Sequence, residues 1–204
     1  MSDEKATTGP APSAIPFMTR EVYDALPMGK YPGQPVLVDD DRLAEVMTLL
    51  AGERVLGFDT ETKPSFHKGE FHLPALIQIA GEAGVFLFPL RRITDPAPIF
   101  PLLENPDILK VGVGVADDLI QLQKIRPFQA GGILDLSHIA AKKGLPKTGV
   151  RWLAAHFLDI RISKKAKCSN WERDPLQSYQ IDYAATDAWV CREVYYKMAE
   201  QGWV

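Results

Sequence analysis

The sequence predicts one α/β domain built on a mixed β-sheet that is flanked by helices. Short apolar runs rich in Val, Ile and Phe come first, and they then alternate with segments whose apolar residues recur at helical spacing. The chain has 204 residues, 46% of them hydrophobic and 24% charged, which suffices for one well-buried core. No internal repeat or long linker divides it.

The elements follow in order along the chain. A short strand at 34–40 leads into a helix at 41–53, whose apolar residues share one face and which Gly52 can end. The strand at 108–115 is apolar on both faces, as is typical of a central strand, and Pro175 suits the first turn of the last helix. The other strands are expected at 54–61, 75–81, 84–90 and 131–135, and the other helices at 97–105, 116–125, 136–144, 150–158 and 175–201.

The N-terminal segment differs in composition from the rest. Residues 1–15 mix Thr, Gly, Pro, Ser and Ala without periodicity, so we expect a flexible tail, an extended lead-in at 16–35 and the domain at 36–204. The tail lacks the apolar stretch of a secretory signal, and no run is long enough to cross a bilayer. Two cysteines are too few for a disulfide framework or a zinc site, so a cytoplasmic protein is expected.

The formal net charge of −3 limits the classes of nucleic-acid binder. Proteins that coat nucleic acids are often basic, because phosphate neutralisation dominates their affinity. The charge therefore argues against a simple coating protein. It says little about an enzyme that meets phosphates through metal ions.

Two carboxylates, Asp59 and Glu61, close the apolar strand at 54–61. Residues two apart on a strand face the same side, so these two project together and Thr60 projects opposite. A strand that simply ends in acids would look the same. The carboxyl ends of strands are, however, also where sites in α/β proteins lie.

A third acid follows the strand at 108–115. Gly112 and Gly114 suggest a dinucleotide-binding turn, but that fingerprint needs a third glycine where Asp117 stands. The alternative is a strand that delivers an acid as the next helix begins. Helical spacing predicts that Asp118 faces the core, whereas Asp117 can serve as an ordinary first-turn acid.

The last helix carries a fourth acid, Asp187, within a mostly apolar stripe, and Tyr183 precedes it by one turn. A lone buried carboxylate is costly unless it is paired or binds a metal. A salt bridge to an arginine elsewhere would also explain Asp187, and Tyr183 alone would be a core tyrosine. Four gathered carboxylates would repel one another, and divalent cations that prefer oxygen ligands are the usual remedy. Together the acids predict a metal site.

Three motifs resemble those of a known family: FDTE at 58–61, KVGVGVADDL at 110–119 and YAATD at 183–187. They are similar to the motifs of the DEDD (DnaQ-like) 3′–5′ exonucleases. The spacing of the last motif is that of the tyrosine branch, which includes ribonuclease D and the Werner-type exonuclease domains. The resemblance covers roughly residues 36–200 and implies the ribonuclease H-like fold.

The resemblance also implies a chemistry. Asp59, Glu61, Asp118 and Asp187 would bind two divalent cations, Mg²⁺ or Mn²⁺, and Tyr183 would orient the attacking water. The terminal phosphodiester of DNA or RNA would be hydrolysed and a nucleoside 5′-monophosphate released.

Candidate substrate contacts fall in two places. By resemblance, Thr60, Leu76 and Gln78 line the terminal nucleotide. A basic cluster that includes Lys164, Lys165 and Lys167 can follow the substrate backbone, although solvated loops would also explain it. Trp152, Trp171 and Trp189 are expected to be core or packing residues and not platforms for bases.

Alternatives to the exonuclease remain open at this point. One is a non-catalytic nucleic-acid-binding module with the same fold, although all four carboxylates and the tyrosine are present. Another is a phosphodiesterase for short oligonucleotides. The chain ends after its last helix, so a free-standing nuclease domain is expected, while the choice between DNA and RNA and the oligomeric state are not predicted.

Overall fold

A six-stranded mixed sheet forms the centre of the computed structural model, which describes residues 18–204. Its order is β1-β4-β3-β2-β5-β6, with β3 antiparallel to both of its neighbours and the other pairs parallel. The parallel strands β2 and β5 therefore end at the same edge of the sheet. The strands are β1 (Val36–Leu37), β2 (Val55–Thr62), β3 (Pro74–Gly81), β4 (Gly84–Pro89), β5 (Leu109–Gly112) and β6 (Ile133–Asp135).

Helices cover both faces of this sheet. The α-helices are α1 (Arg20–Ala25), α2 (Asp40–Ala51), α3 (Phe100–Glu104), α4 (Val115–Gln123), α5 (Leu136–Lys142), α6 (Val150–Leu158) and α7 (Ser178–Glu200), with 3₁₀ turns at Leu90–Arg92 and Ala97–Ile99. Helices α2, α3 and α4 pack on one face, and α5, α6 and α7 pack on the other. Within residues 18–204, no helix combines the length and apolarity that crossing a membrane requires.

The structure corrects three expectations from the sequence. The lead-in at 16–35 is not extended throughout, because Thr19 caps the helix α1 by accepting a hydrogen bond from Val22 N. The strand expected at 108–115 ends at Gly112, since Gly114 adopts φ 78° and α4 starts at Val115. Helix α7 begins after Gln177, so Pro175 precedes its first turn.

The expected tail at 1–15 lies outside the described residues, so its flexibility stays a prediction.

Helix α7 lies directly on β2, and Gly57 permits this approach. A Cβ atom at Gly57 would collide with the carbonyl oxygen of Ala188 and lie 3.0 Å from the backbone nitrogen of Arg192. Both atoms belong to the backbone of α7, so a side-chain rotation cannot relieve the clash. Only glycine lets the helix settle at this depth.

We predict that Gly57→Ala lowers the free energy of unfolding by about 1–3 kcal/mol, because the helix must move away from the strand. Urea denaturation of both proteins measures the change. Gly52→Ala is the matched control, since a Cβ there would make only an ordinary 3.5 Å contact with the carbonyl oxygen of Leu49. Equal stabilities for the two variants would contradict the role given to Gly57.

Candidate active site

Three carboxylates converge where β2 meets α7. Ligand oxygens of Asp59, Glu61 and Asp187 all lie within 4.8 Å of one another. The alternation of β2 turns Asp59 and Glu61 toward α7, as the sequence predicted, and the close approach at Gly57 brings Asp187 down to meet them. Asp187 is buried, so this convergence is built into the packing of the helix.

Asp118 reaches the same place from the opposite face of the sheet. Thr60 faces away from Asp59 and Glu61, and its hydroxyl donates a 2.5 Å hydrogen bond to Oδ1 of Asp118 on α4. This bond holds Asp118 beside the end of β2, outside the tightest group of three carboxylates. The acids thus surround the end of one strand.

An open cavity of about 630 Å³ exposes these acids. Asp59, Thr60, Glu61, Asp118, Tyr183 and Asp187 all line it. Lys164 and Lys167, from the segment between α6 and α7, contribute positive charge to its wall. The cavity thus combines a floor of carboxyl groups with a basic rim, a distribution suited to a phosphate group that is bound through cations.

Burial and mutual repulsion disfavour ionisation of the acids. Burial raises the pKa of Asp59 well above its usual range, and the charges of Asp118 and Asp187 add to this. Burial raises the pKa of Glu61 to about 9, with Asp187 the next contributor. Burial also raises the pKa of Asp118 to about 6 and that of Asp187 to about 7, although the Thr60 and Tyr183 hydroxyls oppose the two shifts.

Two further groups in the cavity stay uncharged near neutral pH. Burial raises the pKa of the Tyr183 phenol further above its ordinary value, and the charges of Asp187 and Glu61 add to the effect. Cys191, one turn after Asp187 on α7, also lines the cavity. Burial raises the pKa of its thiol well above the usual value, and Asp59 contributes next.

The donor set fits a divalent cation that prefers oxygen. Clustered carboxylates at this spacing are the usual ligands of Mg²⁺ and Mn²⁺. A cation among Asp59, Glu61 and Asp187 would also offset the repulsion that raises their pKa values. Among the described residues, these three form the cluster best placed to hold an ion.

Two expected substrate contacts lie elsewhere. Leu76 and Gln78 are fully buried, and neither lines the cavity. They pair with Glu61 and Asp59 across the sheet and so face α7, which covers them. Lys165 lines a neighbouring cavity of about 340 Å³, which shares Tyr183 and Asp187 with the first.

The sequence did not single out part of the cavity wall. Gly149, Val150 and Arg151, at the start of α6, all line it. Trp152 lines it too and packs against Tyr23, while Trp171 is buried and Trp189 packs against the core, so all three are packing residues as expected. Nothing in the local pattern of α6 marks these residues, because the cavity arises only from the packing of α6 beside α7.

We predict that the metal-free protein loses stability as the pH rises from about 5 to 9. The folded state holds protons on these carboxyl groups at pH values where the unfolded chain has released them, so the raised pKa values of Asp118, Asp187 and Glu61 favour folding only at low pH. Each unit of pKa difference corresponds to about 1.4 kcal/mol. Urea unfolding in EDTA across this range measures the loss.

Asp59→Asn removes a carboxyl group that ionises freely in the unfolded chain but not in the folded protein, so it should raise the free energy of unfolding at pH 8. The control is the exposed Asp107→Asn. A metal-free protein whose stability is constant or increases toward pH 9 would contradict the account of these carboxylates.

Comparisons with known proteins give the chain a family. The sequence profile described as 3′–5′ exonuclease matches residues 36–203. The chain is 31% identical over 192 residues to the mouse bifunctional 3′–5′ exonuclease/ATP-dependent helicase WRN, covering 88% of this chain and 14% of that protein. It is 30% identical over 169 residues to ribonuclease D of Haemophilus influenzae, covering 81% and 41% of the two chains. The chain thus spans less than half the length of either relative.

Solved structures agree on the fold. The EXO domain of Nibbler from Aedes aegypti has a TM-score of 0.75 at 23% identity, covering 87% of this chain and 92% of that one. Escherichia coli RNase D has a TM-score of 0.74 at 22% identity, covering 84% and 47%. The expected ribonuclease H-like fold is confirmed. With a profile match over most of its length, the chain belongs to the 3′–5′ exonuclease family.

Proposed function

We propose that this chain is a divalent-metal-dependent 3′–5′ exonuclease. It removes the terminal nucleotide of DNA or RNA as a nucleoside 5′-monophosphate. The observation that carries the proposal is the convergence of Asp59, Glu61 and Asp187 within 4.8 Å at the floor of an open cavity with a basic rim. Membership of the 3′–5′ exonuclease family supports cleavage from the 3′ end.

The acids act as the metal-binding groups. Asp59, Glu61, Asp118 and Asp187 would hold two cations, Mg²⁺ or Mn²⁺. Such ions lower the pKa of a bound water and neutralise the charge that develops on a phosphoryl centre. The hydroxyl of Thr60 holds Asp118 at the end of β2, so one role of Thr60 is to position this acid. Because Thr60 lines the cavity, it can also contact the terminal nucleotide.

Tyr183 positions the attacking water. Its phenol lies beside Asp187 and keeps its proton across neutral pH, because burial and nearby carboxylates raise its pKa. A protonated phenol can orient a water but cannot deprotonate it. The water forms the new P–O bond and releases its proton to solvent, while the 3′-oxygen leaves with its bonding electrons and takes up a proton from solvent.

Nucleic acid is the proposed substrate class. Lys164 and Lys167 lie on the cavity wall, where they can contact phosphates next to the cleaved bond. A structural relative, RNase D of Trypanosoma brucei, was solved in complex with RNA U12. Lys165 would contact the strand only if it extends into the adjacent cavity.

A reducing, cytoplasmic setting is proposed for this enzyme. Both of its cysteines, exposed Cys168 and buried Cys191, are free. Proteins of oxidising compartments more often pair their cysteines.

Matched 5′-labelled DNA and RNA oligomers test the proposal directly. With Mg²⁺ or Mn²⁺ we expect a ladder that shortens from the 3′ end, because hydrolysis begins at that terminus, and no products in EDTA or with Asp59→Ala. Comparing dinucleotides with long oligomers separates a polymer exonuclease from a short-oligonucleotide phosphodiesterase. Intact single-stranded, recessed and duplex substrates with every metal would overturn the proposal and favour a binding module.

We predict that Tyr183→Phe lowers kcat roughly a hundredfold, because a misplaced nucleophile costs about that much. The rise in melting temperature caused by Mn²⁺ should persist, since the carboxylates remain. Steady-state kinetics and thermal melting measure the two effects. Tyr196→Phe, further along α7 and outside the cavity, is the control. An undiminished kcat in Tyr183→Phe would refute the positioning role.

A further inference from the structure

Residues 19–31, within the lead-in at 16–35, contact both α6 and α7, which contribute residues to the active-site cavity, although they precede the matched family region at 36–203. The Pro27 carbonyl accepts a 2.8 Å hydrogen bond from the backbone nitrogen of Arg161, and the backbone nitrogen of Gly29 donates one of 2.8 Å to the Arg161 carbonyl. Tyr31 N donates a 3.1 Å bond to the hydroxyl of Thr186, next to Asp187. The segment is therefore fastened both to the chain just after α6 and to α7.

One side chain of the lead-in packs on the cavity wall. Tyr23 is only 2% exposed, and its ring centroid lies 4.5 Å from that of Trp152 at an angle of 42°. Its hydroxyl accepts a 3.1 Å hydrogen bond from Nη2 of Arg151. Tyr23 thus touches two neighbouring residues of α6 that line the cavity, and it fixes the direction of one guanidinium.

Most hydrogen-bond donors of the Arg151 guanidinium have no partner within the described part of the protein. Within residues 18–204 its hydrogen bonding is limited to the Tyr23 hydroxyl, and its buried Nε has no partner. The positive charge of Arg151 lowers the pKa of Asp187 and so opposes the effect of burial. Arg151 lines the open cavity, so the Nη donors that Tyr23 does not engage can meet a ligand there.

We propose that Arg151 binds a phosphate of the substrate strand and that Tyr23 of the lead-in is its positioning residue. The inference rests on the proposed function and adds a substrate contact to it. The planar guanidinium can donate two parallel hydrogen bonds to non-bridging phosphate oxygens, a geometry that the flexible Lys164 and Lys167 do not supply. The tyrosine hydroxyl takes one donor of Nη2 and leaves the other Nη donors for the ligand.

Kinetics of Arg151→Gln on a single-stranded oligomer test the contact. Loss of a charge-assisted hydrogen bond should raise KM roughly tenfold or more. The slope of log KM against log salt should fall by about 0.7, the value for one phosphate contact on a single strand. Arg126→Gln, an exposed charge change outside the cavity, should leave both quantities unchanged.

Tyr23→Phe tests the positioning role. It keeps the ring against Trp152 but removes the hydroxyl, so KM should rise by a smaller factor than in Arg151→Gln. In the Arg151→Gln background the same change should have no further effect, because the two residues act through one contact. An equal rise in both backgrounds, or none in either, would overturn the role of Tyr23.

The outcomes separate this inference from the function on which it rests. If the wild type cleaves and Arg151→Gln keeps the wild-type KM and salt slope, Arg151 does not bind phosphate. A lower melting temperature with unchanged KM would mean that Arg151 only fastens α1. If the wild type does not cleave, fluorescence anisotropy with a labelled oligomer still measures the salt slope of binding in both proteins. Should Arg151→Gln fail to fold, an unchanged KM in Tyr23→Phe decides against the proposal.

Discussion

The close contact between the backbone of α7 and β2 at Gly57 is the constraint on which the rest of the site depends. It sets the depth of the helix, and that depth places Asp187 within 4.8 Å of Asp59 and Glu61. The same depth buries the carboxylates and so raises their pKa values. Position and electrostatics thus share one cause. A helix resting higher on the sheet would separate the acids and also let water solvate them.

The site also depends on both faces of one strand. Asp59 and Glu61 point toward α7, while Thr60, between them, points toward α4 and holds Asp118 by its hydroxyl. The parallel strands β2 and β5 end at one edge, which is why an acid at the start of α4 can reach this place. Three chain segments far apart in sequence therefore meet around a single strand end, and the sheet supplies the rigid frame that a precise arrangement of charges needs.

Much of this could be predicted from the sequence, because local periodicity determines which way Asp59, Glu61 and Asp187 face. The failures arise where tertiary packing decides. The side chain of Gln78 lies on the same face of the sheet as that of Asp59. Only the position of α7 shows that Gln78 is covered by the helix. Arg151 looks like any polar residue of an amphipathic helix until α6 is placed beside α7. The helix at Arg20–Ala25 lies in the segment at 16–35, which was expected to be extended.

Cys191 places a thiol among the carboxyl groups of the cavity. Its thiol sits next to the acids, yet burial and their negative field raise its pKa, so it remains neutral at physiological pH. A neutral thiol is a poor ligand, whereas a thiolate would attract soft ions such as Zn²⁺. Burial, with the charges of the acids adding to it, thus keeps this sulfur protonated. The carboxylate oxygens are then the donors left beside this thiol, and oxygen donors are the ligands that hard cations favour.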